Sequence, residues 1–107
     1  MEPLMTAAAE QAKLVGPVVR GFDPEIVSAL TEAIYTDNPG AAITIEDHAG
    51  YVRIHAPRFL RVTRVSLEYA AGQPFPLATL EPALAGFAGR IRYVGDDELH
   101  WYLDRED

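Results

Sequence analysis

The sequence predicts an α+β domain whose strands are mostly antiparallel. Three observations carry that prediction. Strand-like stretches outnumber helix-like ones, and most are joined by short turn sequences. The 107 residues, 49% hydrophobic and 23% charged, suffice for one packed core. A chain of this size buries roughly two-thirds of its unfolded surface, so no disulfide or metal staple is needed. The predicted order is strand, helix, three strands, two short helices, two strands.

Residues 1–12 are Ala-rich and polar with no apolar face, and are predicted to be a flexible N-terminal tail. Residues 13–107 then form the single domain. Leu14-Val15-Gly16-Pro17-Val18-Val19-Arg20 is rich in β-branched residues, and Pro17 points to an edge strand or a strand start. Asp23-Pro24-Glu25 opens a helix: Asp23 caps, Pro24 suits the first helical position, and Glu25 meets the positive helix end. Ile26, Leu30, Ala33 and Ile34 make its apolar stripe. Asn38-Pro39-Gly40 stops it, because a residue before proline leaves the α region and glycine opens a turn.

Ile43 and Ile45 alternate with polar residues, as do Val52, Ile54 and Ala56. Pairing Ile45 with Val52 and Ile43 with Ile54 keeps apolar residues on one face and leaves Asp47-His48-Ala49-Gly50 as the loop. Leu60 and Val62 continue the apolar face after a turn at Pro57-Arg58, and the opposite face gathers Arg53, His55 and Arg61. Thr63 to Ala71 reads as a short helix ending at Gly72, with Thr63 or Ser66 as its cap. Pro76 to Ala85 reads as another, with Leu77, Leu80, Leu84 and Phe87 in helical spacing. Pro82 demands a start near Thr79 or a kink there.

In the last hairpin Phe87, Gly89, Ile91 and Tyr93 share a face, opposed by Leu99, Trp101 and Leu103. Tyr93 pairs with Leu99, Ile91 with Trp101 and Gly89 with Leu103, around the turn Gly95-Asp96-Asp97. A slip by one residue would bury Arg90, Arg92 and Glu98 at several kcal/mol each unless paired.

Composition excludes several functions. The absence of cysteine removes disulfides, thiolate metal sites and a cysteine nucleophile. A formal charge of −7 does not suit a binder of nucleic acid or of anionic membrane. That charge is uneven: −6 over residues 1–50, +3 over 51–90 and −4 over 91–107. A dipolar surface of this kind orients a protein partner. No stretch approaches the roughly 18 apolar residues of a membrane span, and the N-terminus lacks a basic n-region. The expected location is the cytoplasm.

Chemistry is sparse. His48, His55 and His100 have no metal-ligand spacing, and Ser28 and Ser66 lie in predicted helices rather than at a nucleophile turn. Gly86-Phe87-Ala88-Gly89 precedes a strand, so it is no phosphate loop. No catalytic, cofactor-binding or metal-binding residue is predicted. Two alternatives follow from the residues alone: an anion site of Arg53, His55 and Arg61 in a small-molecule-binding module, and an acid–base set of Glu98, His100 and Tyr102.

The segment Asp37-Asn38-Pro39-Gly40-Ala41-Ala42-Ile43-Thr44-Ile45-Glu46-Asp47, running on to Tyr51-Val52-Arg53-Ile54, carries a family pattern. So do Val15-Gly16-Pro17-Val18-Val19-Arg20, Leu60-x-x-Thr63-Arg64, Gly72-Gln73-Pro74-Phe75 and Phe87-Ala88-Gly89-Arg90-Ile91, in the same order. The chain resembles the small effector (regulatory, coupling) proteins of bacterial soluble multicomponent diiron monooxygenases, over about residues 14 to 104. The toluene and alkene monooxygenase branch is the nearer one. Pro82 departs from the pattern, in a stretch that is helical in the family.

The resemblance implies a compact fold of two sheets with two to three helices packed between them, and no cofactor. It implies a partner, the diiron hydroxylase component, working alongside a reductase and a ferredoxin. Docking would tune oxygen activation, substrate access and the coupling of NADH to hydrocarbon oxidation. The expected contact residues are Asp37, Asn38, Pro39 and Gly40, a rigid turn presenting backbone groups, followed by Arg64, Gln73, Phe75 and Phe87. Each also has a structural role open to it: a helix stop for Asn38-Pro39-Gly40, core for Phe75 and Phe87. Asn38→Ala is expected to weaken coupling and leave the unfolding midpoint nearly unchanged.

Overall fold

The computed structural model describes residues 13–21 and 23–104, so the tail expected over residues 1–12 lies outside the described residues. Seven strands, two α-helices and one 3-10 helix follow in the order β1 (Leu14–Arg20), α1 (Pro24–Asp37), β2 (Thr44–Asp47), β3 (Tyr51–Pro57), β4 (Phe59–Thr63), α2 (Arg64–Ala71), the 3-10 helix (Leu77–Ala83), β5 (Leu84–Ala88), β6 (Arg90–Val94) and β7 (Glu98–Tyr102). They build two antiparallel sheets, ordered β2-β3-β1-β5 and β4-β7-β6. The α+β class and the pair of sheets are as expected.

The helices form where their end signals lie. Asp23 caps α1 by accepting from the Ile26 amide at 3.4 Å, and Pro24 occupies the first turn. Ala29, Leu30, Ala33 and Ile34 are its buried stripe. Thr63, rather than Ser66, caps α2: its Oγ1 accepts from the Ser66 amide at 3.1 Å, and Gly72 ends the helix at φ 72°. Both helices and both sheets contribute to one core, in which Val15, Leu30, Ile34, Ile54, Leu60, Leu67, Leu99 and Trp101 are fully enclosed.

The β6–β7 register is the predicted one, with Tyr93 opposite Leu99, Ile91 opposite Trp101, Arg92 opposite His100 and Arg90 opposite Tyr102. Five other expectations are corrected. β1 is a central strand, not an edge. It accommodates Pro17 because Gly16 and Pro17 take no part in its ladder with β3, and a bulge after Val18 breaks its ladder with β5. Gly16 is obligatory there, since a Cβ would sit 2.0 Å from the Ile54 carbonyl oxygen.

The β2–β3 hairpin pairs Ile45 with Ile54 and Asp47 with Val52, two residues from the predicted register. A shift of two preserves every face, so the alternating pattern cannot detect it. The turn decides. Ala49 stands at φ 67° with its amide donating to Asp47 Oδ1 at 2.9 Å, and His48 donates its backbone N–H to the Tyr51 carbonyl at 2.8 Å. The loop is correspondingly shorter than expected.

Residues Leu77–Ala83 form a 3-10 helix containing Pro82, not an α-helix. Buried Leu77, Leu80 and Ala83 recur every third residue, the period of a 3-10 turn, while Pro82 can donate no α-helical bond. Leu84 and Phe87, predicted in helical spacing, belong instead to β5, a strand the sequence pattern missed. Consequently Phe87 does not share the last hairpin, and that ladder begins at Arg90 opposite Tyr102 rather than at Gly89 opposite Leu103.

Finally, β3 and β4 are not in one sheet. The chain passes between the sheets at Arg58 (φ 72°), whose amide donates to the Lys13 carbonyl at 2.8 Å. It passes between them again at Gly89 (φ 85°), where a Cβ would meet Val15 Cγ1 at 2.6 Å and the Tyr102 oxygen at 2.7 Å.

Candidate functional site

The α1–β2 loop, the first expectation for partner contact, begins as a polar clasp. Asp37 ends α1 with its carboxylate turned onto α2 and β4. Its Oδ2 accepts from the Thr63 amide at 2.8 Å and the Thr63 hydroxyl at 3.1 Å, and its Oδ1 accepts from the Ser66 hydroxyl at 2.7 Å. Asn38 pairs with β4 as a strand neighbour would. Its Nδ2 donates to the Arg61 carbonyl at 2.7 Å, and its Oδ1 accepts from the Arg61 amide at 3.0 Å. The second Nδ2 proton goes to the Ile34 carbonyl at 2.7 Å, satisfying one of the open carbonyls at the helix end.

Six hydrogen bonds therefore hold two half-buried residues. Their removal would strand partners that no longer face water freely. The expected indifference of the unfolding midpoint to Asn38→Ala is reversed by this geometry: the substitution opens the Arg61 amide and carbonyl at once. The clasp also fixes the direction in which Pro39 and Gly40 leave the helix. Both are exposed, and Gly40 holds φ 82° with open space around it.

The secondary candidates lie in different places. Arg64 begins α2 and pairs with Asp97 at 3.0 Å and, less closely, with Glu68 at 3.8 Å, while its amide donates to the Asp97 carbonyl at 2.8 Å. Gln73 is exposed, whereas Phe75 is 5% exposed and packs into the core. Together with Pro24, Ile26 and Ala71 they line a cleft of about 470 Å³ between the start of α1 and the end of α2. Phe87 is 45% exposed on β5, in the four-stranded sheet, whereas Arg64 lies on α2.

The anion site proposed from Arg53, His55 and Arg61 is not assembled. Arg53 and His55 belong to β3 in the four-stranded sheet, while Arg61 belongs to β4 in the other. Arg53 faces Glu46 at 3.9 Å, and Arg61 is engaged by Glu98 at 3.2 Å. Burial, with Arg53 nearby, holds the His55 pKa below its usual 6.5, against the opposing pull of Glu46 and the Gly16 backbone. A neutral imidazole beside a carboxylate is a poor anion receptor.

Glu98, His100 and Arg61 do meet. Glu98 Oε1 lies 2.9 Å from His100 Nε2 and 3.2 Å from Arg61 Nε. The Arg61 hydrogen bond first, then that of His100, holds the Glu98 carboxyl below its usual range. The Arg61 guanidinium also donates to the Asp37 carbonyl at 3.4 Å, joining this cluster to the clasp. Thr63 and Ser66 were visible in the sequence only as capping candidates. Their bonds to Asp37 span 26 and 29 residues, and no local signal announces them.

Comparison with known proteins gives a consistent result. The model of the MmoB/DmpM family matches residues 13–102. The chain is 42% identical over 89 residues to the effector subunit of the alkene monooxygenase system of Xanthobacter autotrophicus strain Py2, covering 83% of this chain and 85% of that one. Among solved structures, a phenol hydroxylase–regulatory protein complex contains a chain similar in fold, with a TM-score of 0.71 at 23% identity, covering 85% of this chain and 99% of that one. The soluble methane monooxygenase regulatory protein B gives 0.62 at 23% identity, covering 86% and 66%.

Proposed function

The chain belongs to the MmoB/DmpM family, and from that premise we propose that it is the non-catalytic effector of a multicomponent monooxygenase, acting by docking on the diiron hydroxylase component. The observation that carries this reading is the 42% identity, across most of both chains, to an effector subunit of an alkene monooxygenase system. The hydroxylase would work with a reductase and a ferredoxin, in the cytoplasm. Among the described residues no helix is long and apolar enough to cross a membrane, and no three His, Asp or Glu side chains gather as metal ligands.

A protein without reactive groups alters a rate only by binding two states of its partner unequally. A 100-fold effect corresponds to about 2.7 kcal/mol of differential binding. An interface of ordinary size, roughly 800 Å² on each side, supplies that difference readily. Docking through Pro39 and Gly40, held in direction by Asp37 and Asn38, would bias the hydroxylase toward the arrangement that activates oxygen productively. Arg64, Gln73 and Phe87 remain candidates for flanking contacts. Phe75, being buried, would act by supporting the Gln73 turn.

The test is product formed per NADH consumed, with hydroxylase, reductase and ferredoxin constant and this protein titrated. A rise that saturates near one effector per hydroxylase active site is expected. A flat titration of an otherwise active hydroxylase would overturn the reading.

A further inference from the structure

The outer face of the three-stranded sheet is unlike the rest of this acidic molecule. Leu60, Trp101 and Ile91 align across β4, β7 and β6 toward the core, as do Val62 and Leu99. The alternate residues therefore point outward in rows: Phe59, Tyr102 and Arg90, then Arg61, His100 and Arg92. Three arginines and three rings share one small face on a chain of net charge −7.

These side chains are organised into two aromatic contacts. Phe59 meets His100 edge to face, with centroids 5.1 Å apart at 70°. The Arg92 guanidinium lies over the Tyr102 ring, 4.7 Å from its centroid. Arg61 and Arg90 have carboxylate partners, Glu98 at 3.2 Å and Asp104 at 2.9 Å. Arg92 is exposed and has no ion pair among the described residues. A guanidinium held over a ring loses rotamer freedom, and its N–H donors suit a carboxylate, which they can receive through two bonds. Phe59, opposite Tyr102 on β4, adds 41%-exposed apolar surface to the same face. Aromatic and arginine anchors of this kind are the ones that carry binding energy at protein interfaces.

We propose that this face, centred on Arg92, Tyr102 and Phe59, docks a strip of the hydroxylase surface that carries a carboxylate set among apolar residues. The inference rests on the effector reading above and adds the chemistry of the surface it meets. Charge complementarity selects the occupant: elsewhere the chain's negative charge opposes an acidic surface, and here a cation with no ion pair among the described residues attracts one. Continuity supports it too, because Arg61 joins this face to the Asp37 loop.

The test measures Kd for the purified diiron hydroxylase at low and at 0.5 M salt, using wild type, Arg92→Gln, Phe59→Ala and the control Arg53→Gln from the other sheet. Arg92→Gln is expected to raise Kd at least about 10-fold and to flatten the salt dependence. Phe59→Ala is expected to raise it about 5-fold or more. Arg53→Gln should stay within about twofold, and near-UV circular dichroism should match wild type throughout. Arg92→Gln and Phe59→Ala both binding like wild type would overturn the proposal, as would an equal loss in Arg53→Gln, which would mean general charge rather than this face. Failure of the wild type to bind an active hydroxylase would instead take down the effector reading, and this inference with it.

Discussion

The two ends of α1 are held by different means. At its start, the Asp23 side chain makes one long hydrogen bond to its own helix, and the neighbouring surface opens into the cleft beside Phe75. At its finish, the Asp37 and Asn38 side chains reach across to β4 and α2 through five bonds to residues more than 20 positions away. A cap that is local stabilises a helix. A clasp that is remote fixes where the helix lies, and so where the exposed Pro39-Gly40 turn is presented. The difference teaches which end is built for precision.

Substitutions can break that contrast. Asp37→Ala should have the largest effect, because it leaves the Thr63 amide, the Thr63 hydroxyl and the Ser66 hydroxyl without their acceptor. A loss of about 3 kcal/mol is expected, read as the shift in denaturant midpoint at constant m. Asn38→Ala should cost about 2 kcal/mol, and its coupling defect should appear only together with a lower unfolding midpoint. A stable Asn38→Ala variant that no longer couples would show instead that Asn38 touches the partner directly. Asp23→Ala should cost about 0.5–1 kcal/mol and leave coupling intact, since it disturbs only the local cap.

Acid should sharpen the contrast with the smallest effects. His55 has a lowered pKa in the native four-stranded sheet, so the unfolded chain binds its proton first, and stability declines as pH falls below about 6.5. Glu98, next to the clasp, has a lowered carboxyl pKa. Its contribution is present above the ordinary value near 4.5 and is lost as pH falls through the lower native value. His55→Gln should flatten the upper limb and Glu98→Gln the lower one, in unfolding followed from pH 7 to 3. At the other extreme, burial and the bond to Glu81 push the Tyr93 hydroxyl up to about 12. The unfolded chain ionises first above pH 10, so stability falls from there, and Tyr93→Phe should remove that fall.

What the sequence revealed follows the same division between local and remote. Asp23-Pro24-Glu25 and Gly72 mark helix ends through bonds to near neighbours, and both helices form where these signals stand. The β6–β7 register was legible because any one-residue slip buries Arg90 and Arg92. The β2–β3 register was not, because a two-residue slip costs no burial and only the turn at Ala49 distinguishes the two. Pro17 suggested an edge because its lack of a donor is a local fact; the bulge and close approach that admit it to the sheet centre are not. Among the candidate residues, Asp37 and Asn38 were noticed as a turn. Their bonds to Thr63, Ser66 and Arg61 depend on the fold, as does the separation of Arg61 from Arg53 and His55.

The crossings at Arg58 and Gly89 have a mechanical consequence. Both lead from the four-stranded to the three-stranded sheet through a single residue at positive φ, and at the second the Val15 side chain of β1 and the Tyr102 carbonyl of β7 leave no room for a Cβ. Two such stitches prevent the sheets from sliding past one another or opening like a book. A chain held in this way has little internal freedom to lose when it seats against a partner.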